Sequence, residues 1–173
     1  ESTLNFIGTA VTEWAVTGQE PAITGNADAR HAPHDIYRAA GDDDWLAVAV
    51  IEDAQWRSLC AVLGRRDLAE ENTLATAEGR LAARERVDRA VADWTARRSA
   101  ADGASVLLAA GVPAAKVASA RHLIEDDPQL AARGYFRQVE HPELGNSLYA
   151  AQPFTIDGER LELARPPLLG EHT

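Results

Sequence analysis

A polar segment ahead of the first apolar run holds the side chains best suited to chemistry. Asp28, Arg30, His31 and His34 lie close together there, in a stretch without helical or strand periodicity. Several polar groups can converge on one ligand in such a segment, because binding residues are often carried on loops held by a rigid scaffold. A basic loop residue can meet a carboxylate through charge-assisted hydrogen bonds. An exposed loop without a ligand stays open as the alternative interpretation.

Other patterns that would indicate catalysis or metal binding are missing from the sequence. The histidines include no pair four residues apart, the spacing of a helical zinc motif, and none adjoins a serine or cysteine suited to nucleophilic catalysis. Asp42, Asp43 and Asp44 are adjacent, whereas calcium loops place ligands at alternate positions, so a solvated turn is the preferred interpretation. No glycine-rich phosphate cradle is present. Spacing alone therefore predicts no metal site and no visible active site.

The composition is that of an acidic globular protein. Its 173 residues suffice for one domain with a hydrophobic core, with or without extended arms. The net charge is −10 and no basic run interrupts it, so we expect no nucleic-acid partner, because phosphate contacts need clustered Lys and Arg. No apolar run approaches the roughly 18 residues of a membrane span, and no signal peptide is recognisable. We therefore expect a cytoplasmic protein without a membrane partner.

The first half of the chain alternates between helical and strand patterns. We predict an amphipathic helix over residues 1–18, a loop or arm over 19–35, and a hairpin of strands 36–39 and 45–50 whose second strand is central. A helix then begins near Asp53 and ends at Gly64. Its apolar stripe is expected in the core: Trp56, Leu59, Cys60 and Leu63.

A polar connector and a long helix follow. The connector covers residues 65–76 and the helix about 78–98, with its Leu, Val and Trp residues inward and its Arg and Glu residues on a solvated face. The next helix ends at Gly111, and Val112-Pro113 leads into a short buried strand over 114–117.

The last third of the chain is rich in helix-start and helix-stop residues. Ser119 and Asp127-Pro128 start short helices, and Gly134 ends the second. A second hairpin is predicted over 135–151, followed by an extended tail. Together the patterns indicate an α+β fold: a small antiparallel sheet with packed helices and extended terminal arms. We divide it into a helical arm (1–25), a small α+β domain (26–140) and a hairpin with an extended arm (141–173).

Five segments of the chain carry a further signal together. They are GN at 25–26 with HAPHDIYRAAGDDDWLAVAV at 31–50, AAGVPA at 109–114, DDPQLAARG at 126–134, HPELG at 141–145, and PPLLGEHT at 166–173. In this order, over essentially the whole chain, they resemble the small domain of family III CoA-transferases. Each is weak alone, so the resemblance depends on all five. The family includes formyl-CoA, carnitine and bile-acid CoA-transferases and the α-methylacyl-CoA racemases.

The resemblance implies a specific chemistry. In the family, a large Rossmann-like domain carries an aspartate that attacks the acyl-CoA thioester, and mixed-anhydride and aspartyl-CoA thioester intermediates follow. Two chains interlock, and a loop before the first strand of the small domain helps to cover the intermediates. That loop matches residues 26–33. It is a glycine run in formyl-CoA transferases and is Asn-Ala-Asp-Ala-Arg-His-Ala-Pro here.

No aspartate of this chain matches the family's nucleophile, so we expect no catalytic residue within it. The substrate-binding candidates are Asn26, Arg30, His31 and His34, in orienting roles. A coenzyme A thioester and a carboxylic acid acceptor are the expected substrates, with no permanently bound cofactor. We expect a homodimer formed through the large domain, or a companion chain.

Alternatives to the transferase stay open. A racemase of the same family shares the small domain, and a non-catalytic binding or assembly module would use the arms to dock on a partner. The chain has no methionine and begins with Glu, so we expect a fragment, a processed product or a separate subunit, inactive alone.

Overall fold

The computed structural model describes residues 2–20 and 22–172. Contacts divide the chain into two compact units, Glu1–Val117 and Ala118–Thr173, which are described separately. This division differs from the one expected from the sequence, whose boundaries at 25/26 and 140/141 stay predictions. The expected fold class is confirmed: helices accompany small antiparallel sheets.

Two short helices begin the first unit, α1 (Ser2–Phe6) and α2 (Gly8–Thr17). They confirm helical structure within the span predicted as a helix, residues 1–18, with one interruption at Ile7. Gly18 ends α2 in the left-handed conformation and donates its N–H to the carbonyl of Trp14. α2 contains no buried residue, and Trp14 is 56% exposed.

The sheet of the first unit has three antiparallel strands: β1 (His34–Arg38), β2 (Trp45–Ala49) and β3 (Ala114–Lys116). Their order is β1-β2-β3, so β2 is central, as predicted. Because side chains alternate across a strand, Leu46, Val48 and Val50 are buried while the intervening residues are half-buried. The prediction that β3 is buried was wrong: it pairs with β2 along one side only, and its last two residues are exposed.

Helices cover the buried side of this sheet. They are α3 (Asp53–Leu63), α4 (Arg66–Ala69), a 3₁₀ helix (Asn72–Ala75), α5 (Ala77–Ala82), α6 (Arg84–Thr95) and α7 (Ala100–Ala109). The predicted stripe of α3 lies in the core, with Trp56, Leu59 and Cys60 buried and Leu63 packed against them. Glu52 caps α3, in a capping box with Gln55.

The single long helix predicted over 78–98 is two helices. Thr76 caps α5 by accepting a hydrogen bond from the N–H of Gly79, and the helix ends at Ala83, whose φ of −107° is outside the helical range. The first of the two helices turns Arg80 inward, where its guanidinium is fully buried. Two of its acceptors are the carbonyls of Leu74 and Ala75, next to the cap of α5.

The second unit contains α8 (Ala120–Glu125), α9 (Pro128–Ala132), β4 (Phe136–His141) and β5 (Gly145–Ala150). Its predicted helix starts are confirmed. Ser119 accepts a hydrogen bond from the N–H of His122, and Asp127 accepts one from the N–H of Leu130. β4 and β5 form the predicted hairpin, and the tail beyond it has one isolated bridge between Ile156 and Glu159.

Candidate functional site

A groove of about 750 Å³ opens in the first unit, at the sheet. Residues 34–36, 47–49 and 113–115 contribute to it from the strands and their flanks. Residues 25–28 line it from the loop ahead of β1, and Leu108 lines it from the end of α7. We call this space the sheet groove, and residues 25–33 the pre-β1 loop. Volumes between 300 and 1,000 Å³ are typical of small-molecule sites.

The sheet groove brings together two of the four predicted site residues. Asn26 and His34 line it, eight positions apart in sequence, together with Asp28 and Asp35. Arg30 and His31 belong to the same loop but are not among its lining residues. The substrate-binding role of all four stays a prediction.

His34 is held by the loop that precedes it. Its Nδ1 lies 2.9 Å from the carbonyl oxygen of Asn26, and because a carbonyl can only accept, Nδ1–H is the donor. In the neutral ring this tautomer leaves Nε2 as an acceptor, and protonation would turn Nε2 into a donor. Nδ1 of His34 therefore holds the start of the loop, and Nε2 remains available to a ligand.

Asp28 organises the middle of the loop. Its Oδ1 accepts hydrogen bonds from the N–H of Arg30 and from Nδ1 of His31, each at 2.8 Å. These two bonds, the backbone one first, hold the pKa of Asp28 below its usual value, so the group is a carboxylate at neutral pH. Arg30 shapes the loop through its main chain, and His31 is oriented by the carboxylate.

Two arginines hold the loop from the helices behind it. Arg80 Nε donates to the carbonyl of Ala32 at 2.9 Å, and Nη2 pairs with Asp53 at 2.9 Å. Arg84 Nη2 donates to the carbonyl of Asp28 and, at 3.3 Å, to that of His31. All of the loop contacts of these arginines are therefore to main-chain oxygens.

Sequence reasoning missed these arginines, because it placed the Arg and Glu residues of this region on a solvated face. That prediction was wrong for Arg80, which is buried, and for Arg84, which is half-buried. A signal was available: both continue the stripe of Val87, Val91 and Trp94 at alternating spacings of four and three residues. A charged residue on such a stripe indicates a buried partner.

A further polar cluster lies beside the arginines. The hydroxyl of Tyr37 donates to Oδ1 of Asp88 at 2.6 Å. Burial raises the pKa of Asp88, whereas the Tyr37 hydrogen bond and the charge of Arg84 act in the opposite direction. Burial, followed by the contact with Asp88, raises the pKa of Tyr37, so the phenol stays a donor. The cluster fixes β1 to α6 and so supports the sheet under the groove.

The described residues offer no alternative metal or thiol chemistry. Residues 2–20 and 22–172 contain no group of three or more His, Cys, Asp or Glu placed to hold a metal ion. Cys60 is buried, as expected, and burial raises the pKa of its thiol to about 11, which keeps it protonated and unreactive. Among the helices of the described residues, none combines the length and apolar character needed to cross a membrane.

Comparison with known proteins identifies the family. The family model described as CoA-transferase family III matches residues 1–173. The chain belongs to CoA-transferase family III. The resemblance inferred from the five sequence segments is thereby confirmed.

Curated relatives carry CoA-transferase names. A probable CoA-transferase from Mycobacterium tuberculosis is 35% identical over 117 residues, covering 68% of this chain and 15% of its own length. A formyl-CoA:oxalate CoA-transferase from Streptomyces coelicolor is 29% identical, with 90% of this chain and 38% of the relative covered. A succinyl-CoA:mesaconate CoA-transferase from Haloarcula hispanica is 30% identical, with 99% and 42% covered. The chain thus spans less than half of the length of these relatives.

Solved structures share the fold. A CaiB/BaiF family protein from Brucella suis superposes with a TM-score of 0.82 at 25% identity, covering 96% of this chain and 42% of that protein. A Mycobacterium tuberculosis protein superposes with a TM-score of 0.71 at 18% identity, covering 95% of this chain and 41% of the other, a likeness of fold alone.

Proposed function

We propose that this chain is the small domain and C-terminal arm of an acyl-CoA:carboxylate CoA-transferase, and that the sheet groove receives the acyl end of the CoA thioester. The observation that carries the proposal is the groove itself, in which Asn26 and His34 meet, in a chain matched over its whole length by a CoA-transferase family. The relatives' names favour transfer of CoA between carboxylic acids over the racemase and the non-catalytic module.

In this proposal the nucleophile lies outside residues 1–173. An aspartate of the large domain attacks the thioester carbonyl, forming a C–O bond to the acyl group and releasing the CoA thiolate, so that an acyl–aspartyl anhydride results. The thiolate then attacks the aspartyl carbonyl, which gives an aspartyl-CoA thioester and frees the first carboxylate. The acceptor acid completes the exchange through the reverse sequence, and no metal or redox step is needed for the balance.

The chain's own residues orient the acyl group and limit water. An anhydride hydrolyses readily, so a site that forms one benefits from a wall that excludes water. The pre-β1 loop supplies that wall, held by Arg80 and Arg84. The Asn26 amide N–H donates to the carbonyl or the acceptor carboxylate, and Nε2 of His34, an acceptor in the neutral ring, accepts a hydrogen bond from an N–H or O–H of the substrate. Arg30 and His31 are retained as carboxylate contacts outside the groove lining.

The remaining expectations follow from the same proposal. The thioester is a substrate, and no cofactor is bound permanently. The protein forms a homodimer through the large domain, or pairs with a companion chain. This chain by itself is inactive, and a cytoplasmic location is expected.

The test is a transfer assay on the chain and on the longer polypeptide of its coding region. Each protein is incubated with formyl-CoA, succinyl-CoA or hexanoyl-CoA and a panel of carboxylic acids, and the CoA esters are separated by liquid chromatography. We expect acceptor-dependent exchange by a polypeptide that includes the large domain and none by residues 1–173. In the active protein, His34→Ala and Asn26→Ala should each lower kcat/KM about tenfold or more, the loss of one oriented hydrogen bond to a reacting group.

His122→Ala is the matched control, because this half-exposed histidine lies on α8 of the second unit and is not among the residues that line the groove. Full activity in the His34 and Asn26 variants would contradict the assignment of the site. Epimerisation of a 2-methylacyl-CoA without an acceptor would replace the transferase with the racemase.

A further inference from the structure

The sheet groove has a distinctive chemical lining. Apolar residues dominate it, chiefly Ile36 and Leu108 with alanines of β2 and β3. Its charged residues, within residues 2–20 and 22–172, are Asp28 and Asp35, and neither lysine nor arginine lines it. An apolar surface with two acidic residues is poorly suited to a second carboxylate.

We propose that the groove selects acyl-CoA substrates whose acyl chain is apolar and uncharged, of about six carbons or more, and discriminates against dicarboxylic acyl groups. The choice of acyl-CoA as the ligand rests on the function proposed above. The preference within that class comes from the groove alone.

The arginines that hold the pre-β1 loop do not line the groove. Arg84 directs Nη2 to the carbonyls of Asp28 and His31, and its Nη1 is buried with no hydrogen-bond partner among the described residues. Nδ1 of His31 is bonded to Asp28. Arg80 is fully buried and bonded to Ala32 and Asp53. A terminal carboxylate in the groove would therefore lose its hydration without gaining a cation, which is the unfavourable case for burial of a charge.

A cationic acyl group is also poorly matched. Quaternary ammonium groups are recognised over aromatic faces, and no Phe, Tyr or Trp is among the lining residues in the part of the chain that the structure describes. Oδ1 of Asp28 is already bonded to His31 and to the N–H of Arg30. Besides the Asn26 amide and Nε2 of His34, the apolar surface is what remains for a ligand to use.

The volume of about 750 Å³ is large for a formyl or acetyl group and leaves room for a chain of several methylenes. Full burial strengthens binding up to about fourfold per methylene. In an open groove we take about half of that free energy, roughly twofold per methylene, so hexanoyl-CoA, with four more methylenes, should bind about fifteenfold more tightly than acetyl-CoA.

The decisive experiment compares hexanoyl-CoA with adipoyl-CoA, which have six-carbon acyl groups and differ by a terminal carboxylate. Calorimetry on this chain measures both dissociation constants, with free CoA and acetyl-CoA as references. We expect hexanoyl-CoA to bind about tenfold or more tightly than adipoyl-CoA. Chemical shifts of Ala47 and Ala115 should respond to hexanoyl-CoA and not to free CoA.

Leu108→Arg tests the charge argument directly. Leu108 is 57% exposed on α7, where Arg has a similar helix propensity, so the fold should tolerate the change. A guanidinium at the groove wall should narrow or reverse the preference for hexanoyl-CoA, by about three- to tenfold. Val106→Arg is the matched control, since Val106 lies on the same helix, is 46% exposed and does not line the groove.

Each outcome decides a different point. Equal or tighter binding of adipoyl-CoA, tighter binding of a trimethylammonio-acyl-CoA, or equal binding of hexanoyl-CoA and free CoA would overturn the inference. A hexanoyl preference in a protein that transfers no CoA, even with its large domain, would uphold the groove's selectivity and reject the proposed function.

Discussion

The two units of this chain are stabilised in different ways. The core cluster of eighteen buried apolar residues lies entirely in the first unit. In the described part of the second unit, Ala151 is the one buried apolar residue, while Leu144, Leu148 and Phe154 are exposed. Hairpins and short helices without a core are marginal in water, so local caps and strand pairing must hold the second unit together. The candidate site therefore lies in the unit that has a hydrophobic core of long-range contacts.

The substitution that should destabilise the first unit most is the one that removes its buried arginine. Arg80→Ala leaves the carbonyls of Ala32, Leu74 and Ala75 without their donor and should lower the free energy of unfolding by about 3–5 kcal/mol. Arg66→Ala is the control, because the Arg66 side chain is 89% exposed and its pair with Glu70 contributes little. Denaturant unfolding measures the free energy of unfolding of both variants. Similar losses in the two would show that the buried contacts of Arg80 do not stabilise the fold more than an exposed ion pair does.

A leucine truncation in each unit compares their packing directly. Leu107 is fully buried and Leu148 is 40% exposed. Leu107→Ala should cost about 3 kcal/mol, from lost transfer free energy and a cavity, and Leu148→Ala about 1 kcal/mol or less. The two variants are followed by urea denaturation with a probe in each unit. A larger effect at Leu148 would reveal a packed core in the second unit and reverse the comparison.

Gly79 offers a smaller perturbation of the support beneath the loop. A Cβ there would lie 1.6 Å from the carbonyl oxygen of Thr73, so the 3₁₀ helix must move. We expect Gly79→Ala to cost about 2 kcal/mol and to weaken the Arg80 contact with the loop. At Gly8 a Cβ meets nothing within 4 Å, so Gly8→Ala should be neutral or slightly stabilising. Thermal unfolding of both variants tests the difference.

The smallest effects concern exposed ion pairs, one in each unit. Hydrogen bonds from Arg65 lower the pKa of Asp67 to about 2, and those from Arg165 lower the pKa of Glu171 to about 2. A carboxyl group whose pKa is depressed on folding stabilises the fold above its unfolded pKa, and this is lost as pH falls through the folded value. Both contributions should therefore disappear between about pH 4.5 and pH 2.

The two units should respond differently to that loss. In the first unit the core keeps its structure when Asp67 is protonated, whereas Glu171 also accepts from the N–H of Leu168, so the turn of the tail should loosen. Carboxyl NMR titration gives both pKa values, and amide shifts report the tail. Arg165→Gln should return the pKa of Glu171 towards its ordinary value, and Arg160→Gln, at an exposed position outside the pair, should not.

The parts of the fold that sequence analysis predicted are those fixed locally. Ser119, Asp127 and Gly64 end or begin helices through bonds to residues within one turn, so their types alone are informative. The apolar stripe of α3 was likewise predictable, because its period is helical. The exposure of β3 was not, since a three-residue strand carries no sign of whether it lies at an edge.

The site was likewise predicted only where its residues lie close together in the sequence. His31 and His34 were found because polar residues clustered in an aperiodic segment, but only the folded loop shows that His34 meets Asn26 and lines the groove. The contacts of Arg80 and Arg84 with the loop span about fifty residues of sequence. No local pattern encodes a partner at that distance, so the loop's support had to come from the structure.

The two arginines hold the pre-β1 loop by its main chain, whereas a ligand would meet its side chains. Arg80 and Arg84 donate hydrogen bonds to carbonyl oxygens, which every residue type possesses. The side chains at positions 27, 29 and 30 can therefore change without loss of these bonds. A loop of this kind can exchange its contacts with substrate through point substitutions that leave the fold intact. For the chain, new specificity is therefore accessible at little cost in stability, and saturation mutagenesis of those three positions would yield mostly folded variants.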